Sequence, residues 1–212
     1  MLFRMKANSL LFVNSTAKRA LGKELLPKKY ETKVELRDGR TALLRPIKPE
    51  DEPMWQEMFQ SFSEESIRYR FFQVIKATPQ MRRRYCNIDY NKEIAIVAEL
   101  SEEGKKRILG VFRLILEPNL KTGEIAFIIT DQWQNLGLGS AMMRHMIKIC
   151  KDKKLESIYG FLLKNNVKGM RFMKNMWFAI QQLDEETVKA TLNFNEEQKN
   201  KKKNAGLIVF RR

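Results

Sequence analysis

The 212-residue sequence predicts a fold of the α+β (α/β) class, in which helices cover the faces of a mixed sheet. Three observations carry this prediction. Two alternating runs flank an Asp-Gly pair, three consecutive apolar runs follow between residues 93 and 130, and the remainder alternates strand with helix. Hydrophobic residues make up 43% of the chain and charged residues 31%, which is ordinary for a domain that buries a core.

The first half of the chain predicts one hairpin and three helical segments. In KVELRDGRTALLRPI, which starts at Lys33, Asp38-Gly39 is a strong turn signal between two alternating runs. KPEDEPMWQEMFQSF then predicts a helix, because Pro and acidic residues occupy its first turn. Ser63 is an N-cap candidate for EESIRYRFF, and TPQMRRRYCNI predicts the third helical segment.

The second half predicts strands and helices in alternation. EIAIVAEL (93–100), RILGVFRLIL (107–116) and GEIAFIIT (123–130) are strand-like runs separated by turn residues. A helix with an apolar Met, Ile and Cys face runs from the glycine stretch to Lys153. LESIYGFLL predicts a strand and NNVKGMRFMKNMW a helix, while TVKATLNF and GLIVFRR predict a final hairpin.

Charge and cysteine content limit the classes of partner and compartment. The 40 Lys and Arg against 25 Asp and Glu give a net charge of +15, which suits a polyanionic partner or a phosphate-rich cofactor. Aromatic residues do not alternate with the basic clusters as in a single-strand groove, so nucleic acid is not the expected partner. No apolar run reaches the roughly 18 residues of a membrane span. Cys86 and Cys150 are expected to be reduced packing residues of a cytoplasmic protein.

The first thirty residues differ from the rest of the chain. They contain no acidic residue before Glu24 and carry one short apolar patch, from Leu10 to Val13. Such a start resembles an organelle transit peptide, and it also fits a flexible extension or a helix on the domain surface. We therefore expect an N-terminal extension over 1–30 and one domain over 31–212.

The stretch QNLGLGSAMM (134–143) indicates phosphate binding, because two glycines precede a helix whose first N–H groups are unpaired. Two common phosphate motifs do not match. A Walker loop requires Lys after its last glycine, whereas Ser140 and Ala141 follow Gly139. The dinucleotide fingerprint requires a third glycine where Met142 stands.

The remaining pattern, Gln134-x-x-Gly137-x-Gly139, resembles the acetyl-CoA signature of the GNAT superfamily of N-acetyltransferases. LRDGRTALLRPIKPEDEP, FSEESIRYRFF and NIDYNKEIAIVA resemble the protein lysine acetyltransferases of the Pat type, a module also found fused to ADP-forming acyl-CoA synthetases. The resemblance spans Tyr30 to Phe178 and covers the final hairpin only loosely. It implies a mixed, mostly antiparallel sheet flanked by helices, with acetyl-CoA as the acyl donor.

The resemblance also implies where the cofactor binds. Backbone N–H groups of the glycine loop would hold the diphosphate, and the main chain of the preceding strand would pair with the pantetheine arm. Asn166 matches a family position that contacts the cofactor, and an N-cap role for it is equally open. The implied cofactor-binding residues are Ile128, Ile129, Thr130, Gln134, Asn135, Leu136, Gly137, Leu138, Gly139, Ser140 and Asn166.

Glu124 is the candidate catalytic residue. An amine with a pKa near 10.4 is protonated at neutral pH, so acetyl transfer needs a nearby group that accepts its proton. Glu124 precedes Gln134 by ten residues, matches the family's catalytic Glu, and shares a strand face with Ala126, Ile128 and Thr130. The N–H of Ile128 is expected to polarise the acetyl carbonyl. Glu93, which also opens an apolar strand, is the rival base.

Some positions depart from the family pattern or have no assigned role. Met173 stands where many relatives place a Tyr that reprotonates the thiolate, and Trp177-Phe178 replaces the usual Gly-Phe. His145, the only histidine, lies on the polar side of its predicted helix, so neither a catalytic histidine nor a metal site is expected. A final set of aromatic residues belongs either to the core or to the border of the acceptor groove: Tyr69, Phe71 and Phe72.

The sequence therefore predicts an acetyl-CoA-dependent N-acetyltransferase that acylates a protein lysine by direct attack in a ternary complex. One alternative keeps the cofactor and replaces the acceptor with a small amine, because acceptor choice depends on loops rather than fold. A second alternative is a catalytically inert basic module that binds nucleic acid, with an affinity that falls steeply with salt. No membrane partner is expected.

Overall fold

The computed structural model describes residues 28–194. Its strands and helices follow the predicted order, with one additional short strand, Ala179–Gln182. The elements are β1 (Thr32–Glu35), β2 (Thr41–Pro46), α1 (Glu52–Gln60), α2 (Glu64–Phe71), α3 (Pro79–Cys86), β3 (Glu93–Glu102), β4 (Lys105–Leu116), β5 (Thr122–Ile129), α4 (Leu138–Asp152), β6 (Ser157–Leu163), α5 (Val167–Asn175), β7 (Ala179–Gln182) and β8 (Thr187–Asn193).

The strands of this part of the chain form one sheet in the order β1-β2-β3-β4-β5-β6-β8-β7. All neighbours are antiparallel except β5 and β6, which are parallel, so the predicted mixed, mostly antiparallel sheet is confirmed. TVKATLNF forms β8, which lies between β6 and β7, and its hairpin with GLIVFRR stays a prediction. GLIVFRR lies outside the described residues.

The β1–β2 hairpin closes through a three-residue loop. Leu36 donates its N–H to the Arg40 carbonyl at 2.8 Å, and Gly39 takes the left-handed conformation with φ of 84°. This arrangement is typical of a tight turn followed by a left-handed residue, which glycine adopts without strain. The loop brings Arg37 to the glycine loop, where its N–H donates to the Leu136 carbonyl at 3.0 Å.

Two hydrophobic cores lie on opposite faces of the sheet. The larger core lies under α4 and α5, and the smaller one under α1, α2 and α3. Tyr30 is 5% exposed and packs in the larger core, so the globular unit includes this residue. His145 is half-buried rather than on a polar face, and its Nε2 lies 2.8 Å from the Tyr30 carbonyl oxygen.

β5 and β6 pair only where they begin. Their parallel register joins Thr122–Glu124 to Ser157–Tyr159, although both strands continue for several residues beyond. A Cβ at Gly160 would lie 3.0 Å from the Ile125 carbonyl oxygen, so the two strands are still close one residue beyond their last pair. After this point the strands diverge and leave one edge of β5 open.

The two cysteines agree with their prediction. Cys86 and Cys150 are both buried and neither forms a disulfide. Burial raises the pKa of each thiol to about 12, so both remain protonated packing residues. No helix between residues 28 and 194 is long and apolar enough to cross a membrane.

Candidate active site

A cleft of about 680 Å³ opens where β5 and β6 diverge. Its walls come from both strands, from α2, from the start of α4 and from α5. Most of the predicted site residues line it: Glu124, Ile128, Ile129, Gln134, Asn135, Gly137, Gly139, Ser140 and Asn166. The topology therefore brings the glycine loop and the candidate base to one cavity.

The glycine loop has the geometry of an anion cradle. Asn135 and Gly137 both take the left-handed conformation, with φ of 62° and 86°. The α4 helix that follows has no side-chain N-cap, whereas Ser63, Thr78 and Asn166 cap α2, α3 and α5. The first N–H groups of α4 are thus left for a ligand at the positive end of the helix dipole.

Three of the predicted cofactor residues do not line the cleft. The side chain of Leu138 is fully buried, and Leu136 packs against the same core, so only their main chain could reach a ligand. Thr130 is 3% exposed, and both its N–H and its hydroxyl donate to the Leu109 carbonyl, at 2.9 and 3.1 Å. The expectation that Thr130 pairs with the pantetheine arm is therefore wrong, because its N–H and hydroxyl bind β4 and its carbonyl accepts from the Trp133 N–H at 2.8 Å.

The hydrogen bond from the Thr130 N–H to the Leu109 carbonyl also shows which edge of β5 each main-chain N–H faces. The β4–β5 register runs one to one from Gly110↔Ile129 to Leu116↔Gly123, so N–H groups alternate regularly between the two edges. Since the Thr130 N–H faces β4, the Ile128 N–H faces β4 as well, contrary to its expected role as the carbonyl donor. The main-chain groups of Phe127 and Ile129 face the open edge instead.

Gln134 supports this open edge. Its side-chain Nε2 donates to the Ile129 carbonyl at 3.1 Å. The Ile129 N–H and both main-chain groups of Phe127 remain directed toward the diverging strands. An extended chain with amide groups, such as a pantetheine arm, can pair with them as an added strand.

Glu124 lies on the face of the sheet that carries α1, α2 and α3. Ile128 packs in the smaller core and Ile125 and Ile129 in the larger one, which confirms the predicted alternation along β5. The carboxylate is half-buried and makes no hydrogen bond or ion pair with residues 28–194. Burial raises the pKa of Glu124, and the positive charge of Arg70 partly opposes that effect.

Polar and aromatic groups surround Glu124 on this face. Tyr159 is its direct neighbour in the β5–β6 register and donates its hydroxyl to the Glu117 carboxylate. Lys189 lies 4.2 Å from the centre of the Tyr159 ring. Arg70 is half-buried in the cleft, and burial lowers its pKa. An unpaired carboxylate among these groups can accept a proton from an entering amine.

The rival carboxylate, Glu93, has a different environment. It is 5% exposed and binds two arginines, Arg113 through Oε1 and Arg84 through Oε2, the latter at 2.9 Å. Arg113 is itself 2% exposed, so the pair is a buried structural ion pair. Glu93 is therefore occupied by structural ion pairs, and it does not line the cleft.

Helix α2 crosses the cleft and is anchored at both ends. Asp131 accepts from the Ser63 N–H and hydroxyl, each at 2.9 Å, and from the Ser66 hydroxyl at 2.7 Å. The Tyr69 hydroxyl donates to Glu65 Oε1 at 3.1 Å and approaches the Asn165 carbonyl at 3.4 Å. Of the three aromatic residues with two open roles, Tyr69 and Phe72 line the cleft and Phe71 packs in the smaller core.

Three further predictions concern residues in α5 and at its two ends. Asn166 caps the helix, since its Oδ1 accepts from the Gly169 N–H at 2.8 Å, and it also lines the cleft. Met173, in place of the family's Tyr, is 2% exposed and carries no proton donor. Trp177 has a left-handed φ of 67°, which a glycine, the family's usual residue here, would adopt without strain. Its side chain is 84% exposed.

Among the cleft residues that sequence reasoning missed are four cations and one residue of β5. These residues are Arg37, Arg70, Phe127, Lys168 and Arg171. The open-edge role of Phe127 follows from strand alternation once the direction of Thr130 is known. The cations come from the β1–β2 loop, α2 and α5, which are far apart in sequence, so no local pattern signals their convergence.

Coenzyme A fits the features of this cleft. The uncapped glycine loop offers N–H donors for a diphosphate, and a Cβ at Gly139 would approach Ile129 Cδ1 at 3.3 Å. The open edge of β5 suits the two amides of the pantetheine arm. Within residues 28–194, no three His, Cys, Asp or Glu side chains come together in a way that could hold a metal ion.

Comparisons with known proteins agree with this geometry. A family model described as an acetyltransferase (GNAT) domain matches residues 42–179. Acetyltransferase PA5475 of Pseudomonas aeruginosa is 32% identical over 126 residues, which are 59% of this chain and 68% of that protein. The GNAT domain of S. lividans PAT superposes with a TM-score of 0.72 at 21% identity, covering 79% of this chain and 99% of that chain.

A cofactor complex is among the similar structures. Mycobacterium smegmatis RimJ, solved with CoA-disulfide, has a TM-score of 0.62 at 12% identity, covering 78% of this chain and 88% of that one. The two solved structures share the fold with this chain, which confirms the predicted architecture. The family model spans more than half of the sequence, and the chain therefore belongs to the GNAT family of acetyltransferases, which take their acyl group from acetyl-CoA.

Proposed function

We propose that this chain acetylates lysine side chains of proteins, with Glu124 as the general base. The observation that carries the proposal is the half-buried Glu124 carboxylate, which has no partner among residues 28–194 and lines the same cleft as the glycine loop. Acetyl-CoA supplies the activated acyl group. Glu124 takes the proton of the incoming ammonium, directly or through one water, so that the neutral amine can attack the thioester carbonyl. The new amide bond replaces the C–S bond, and the CoA thiolate leaves and takes a proton from water.

The other cleft residues hold and orient the two reactants. Main-chain N–H groups from Asn135 to Ser140 bind the diphosphate, and the open edge of β5 at Phe127 and Ile129 aligns the pantetheine arm. The acyl carbon would then lie beside Glu124, on the side of the sheet that α2 covers. This placement of both reactants is worth a large part of any rate enhancement.

The exposed residues that line the cleft favour a protein acceptor over a small amine. Glu65, Tyr69 and Phe161 line the same cleft as Glu124, and all three are at least partly exposed. Exposed side chains along the cleft wall suit an acceptor side chain carried by a large partner, and Glu65 adds negative charge that attracts an ammonium group. The segments that resemble Pat-type enzymes include α2 itself.

We further propose a reducing, cytoplasmic location, which the two unbridged buried cysteines support.

The test is acetyl transfer to proteins with and without the base. The purified chain is incubated with acetyl-CoA and a cell lysate, and acetylated lysines are counted by mass spectrometry. We expect Glu124→Gln to reduce the rate by about 10²- to 10⁴-fold, since it removes the general base and keeps the shape of the side chain. Undiminished acetylation by this variant would contradict the assigned role.

A matched control separates loss of chemistry from loss of fold. Glu156→Gln changes a half-exposed carboxylate, paired with Lys121 at 3.0 Å, that does not line the cleft, and it should leave the rate unchanged. Release of CoA thiol with a panel of small amines is measured in parallel. Rapid turnover of a small amine, with no acetylated protein, would identify the alternative acceptor class.

A further inference from the structure

Arg37 lies beside the glycine loop although it is 98 residues distant from Asn135 in sequence. Its Nη1 donates to the Asn135 carbonyl at 3.3 Å, and its main-chain N–H donates to the Leu136 carbonyl at 3.0 Å. Its Cγ and Nε lie 3.7 and 3.9 Å from the position that a Cβ at Gly137 would occupy. The guanidinium therefore lies next to Gly137, where the absence of a side chain leaves the loop accessible.

The charge of Arg37 is not neutralised by a carboxylate in residues 28–194. Its neighbour Asp38 binds Arg40 instead, with a distance of 2.9 Å from Arg40 Nε to Asp38 Oδ2. Arg37 is exposed and lines the cleft, and the Asn135 carbonyl uses only one of its five N–H donors. An exposed cation with free donors, held in place by the loop itself, is suited to bind an anion.

We propose that Arg37 is a ligand of the cofactor's diphosphate, contributed to the glycine loop by the β1–β2 hairpin. The proposal rests on the assignment of acetyl-CoA to this cleft. The loop supplies main-chain N–H donors from one side, and Arg37 adds a bidentate, charged donor from the other. The hairpin thereby becomes part of the cofactor site and not only an edge of the sheet.

The main chain of Arg37 also holds the loop, independently of the side chain. The main-chain hydrogen bond to Leu136 persists with any residue at this position except proline. A purely structural Arg37 would change stability and would affect every ligand of the cleft alike. A diphosphate ligand would affect only those ligands that contain the diphosphate.

The experiment compares three ligands by calorimetry: CoA, 3′-dephospho-CoA, and pantetheine, which has no phosphate. We expect Arg37→Ala to weaken CoA and 3′-dephospho-CoA by a similar factor, about tenfold to a hundredfold, as for a charge-assisted hydrogen bond. The affinity for pantetheine should not change. Arg37→Lys should restore part of the loss, because it keeps the charge without the planar fork.

Lys33→Ala is the matched control, since Lys33 is an exposed cation of the same hairpin that does not line the cleft. It should leave all three affinities unchanged, which excludes an effect of net charge alone. Wild-type affinity for CoA in Arg37→Ala would overturn the proposal, and so would an equal loss for pantetheine. Either result leaves the proposed function standing if acetyl transfer persists, whereas failure of the wild type to bind CoA would remove both.

Discussion

Glu93 and Glu124 each lie near the start of an apolar strand on the same face of the sheet, yet their surroundings differ. Glu93 is neutralised by Arg113 and Arg84, and its strand has partners along both edges. Glu124 lies on a strand whose outer edge is open beyond the first three pairs, and no ion pair neutralises it within the described residues. One carboxylate stabilises the fold and the other remains available.

The comparison extends to the rest of the sheet. In the closed region, from β1 to β4, buried charges are paired, as with Arg45 between Asp51 and Glu99, both at 2.7 Å. In the open region, around β5 and β6, main-chain groups, the Glu124 carboxylate and several cations face a cavity, and no ion pair among the described residues neutralises these charges. Polar groups left unpaired at the edge of a core are costly, and their concentration in one place indicates a binding site.

The largest expected effect concerns the closed region. Glu93→Gln leaves Arg113, which is 2% exposed, without its charged partner. We expect the free energy of unfolding to fall by about 3–5 kcal/mol, as for other broken buried ion pairs. Urea denaturation measures this change, and acetyl transfer by the folded fraction should be retained.

Glu102→Gln is the control for this variant, because Glu102 ends the same strand with only long, exposed ion pairs to Arg40 and Arg107, at 3.7 Å each. Its cost should stay below about 1 kcal/mol. Equal costs for the two variants would show that burial does not distinguish Glu93 from Glu102.

A second prediction concerns pH dependence in the open region. Burial raises the pKa of Glu124 and the charge of Arg70 lowers it. Arg70→Met removes that charge and keeps the apolar stem, so the pKa of Glu124 should rise further. Because a general base acts when deprotonated, the acid limb of the pH–rate profile should move to higher pH, with a severalfold lower rate on the acid side.

Arg68→Met provides the comparison, since Arg68 lies on the same helix, is exposed and does not line the cleft. Its acid limb should coincide with that of the wild type. A profile of Arg70→Met that does not move, or that moves to lower pH, would show that another group limits the rate on the acid side.

The difference between the two carboxylates also shows what the sequence alone could not predict. Local signals identified the Asp38-Gly39 turn, the Ser63 cap and the glycine loop, because each depends on a few neighbouring residues. The choice of Glu124 over Glu93 depends on arginines from other elements, which spacing along one strand does not reveal.

Errors in the sequence analysis have the same origin. The roles of Ile128 and Thr130 were misassigned because the direction of their N–H groups is set by pairing with β4. Strand β7 was missed because it has only four residues, AIQQ, and these show no alternation of apolar and polar residues. Most of them are exposed. Each of these features depends on contacts between segments far apart in the chain.

The smallest expected effect concerns the end of α5. Trp177 holds a left-handed conformation that costs a non-glycine residue about 1–2 kcal/mol, and its ring is 84% exposed. Trp177→Gly should therefore raise the free energy of unfolding by up to about 1 kcal/mol, after the added chain entropy of glycine is subtracted. Trp177→Ala keeps the strain and should show little gain in the same urea titration.

The most direct test of the open-edge site is a crystal structure of the chain with CoA. We expect the diphosphate to contact the main-chain N–H groups between Asn135 and Ser140, with Arg37 beside it. The pantetheine amides should pair with Phe127 and Ile129, and the thiol should lie near Glu124. A cofactor bound outside this cleft, or a pantetheine arm paired with the Ile128 main chain instead, would contradict the account.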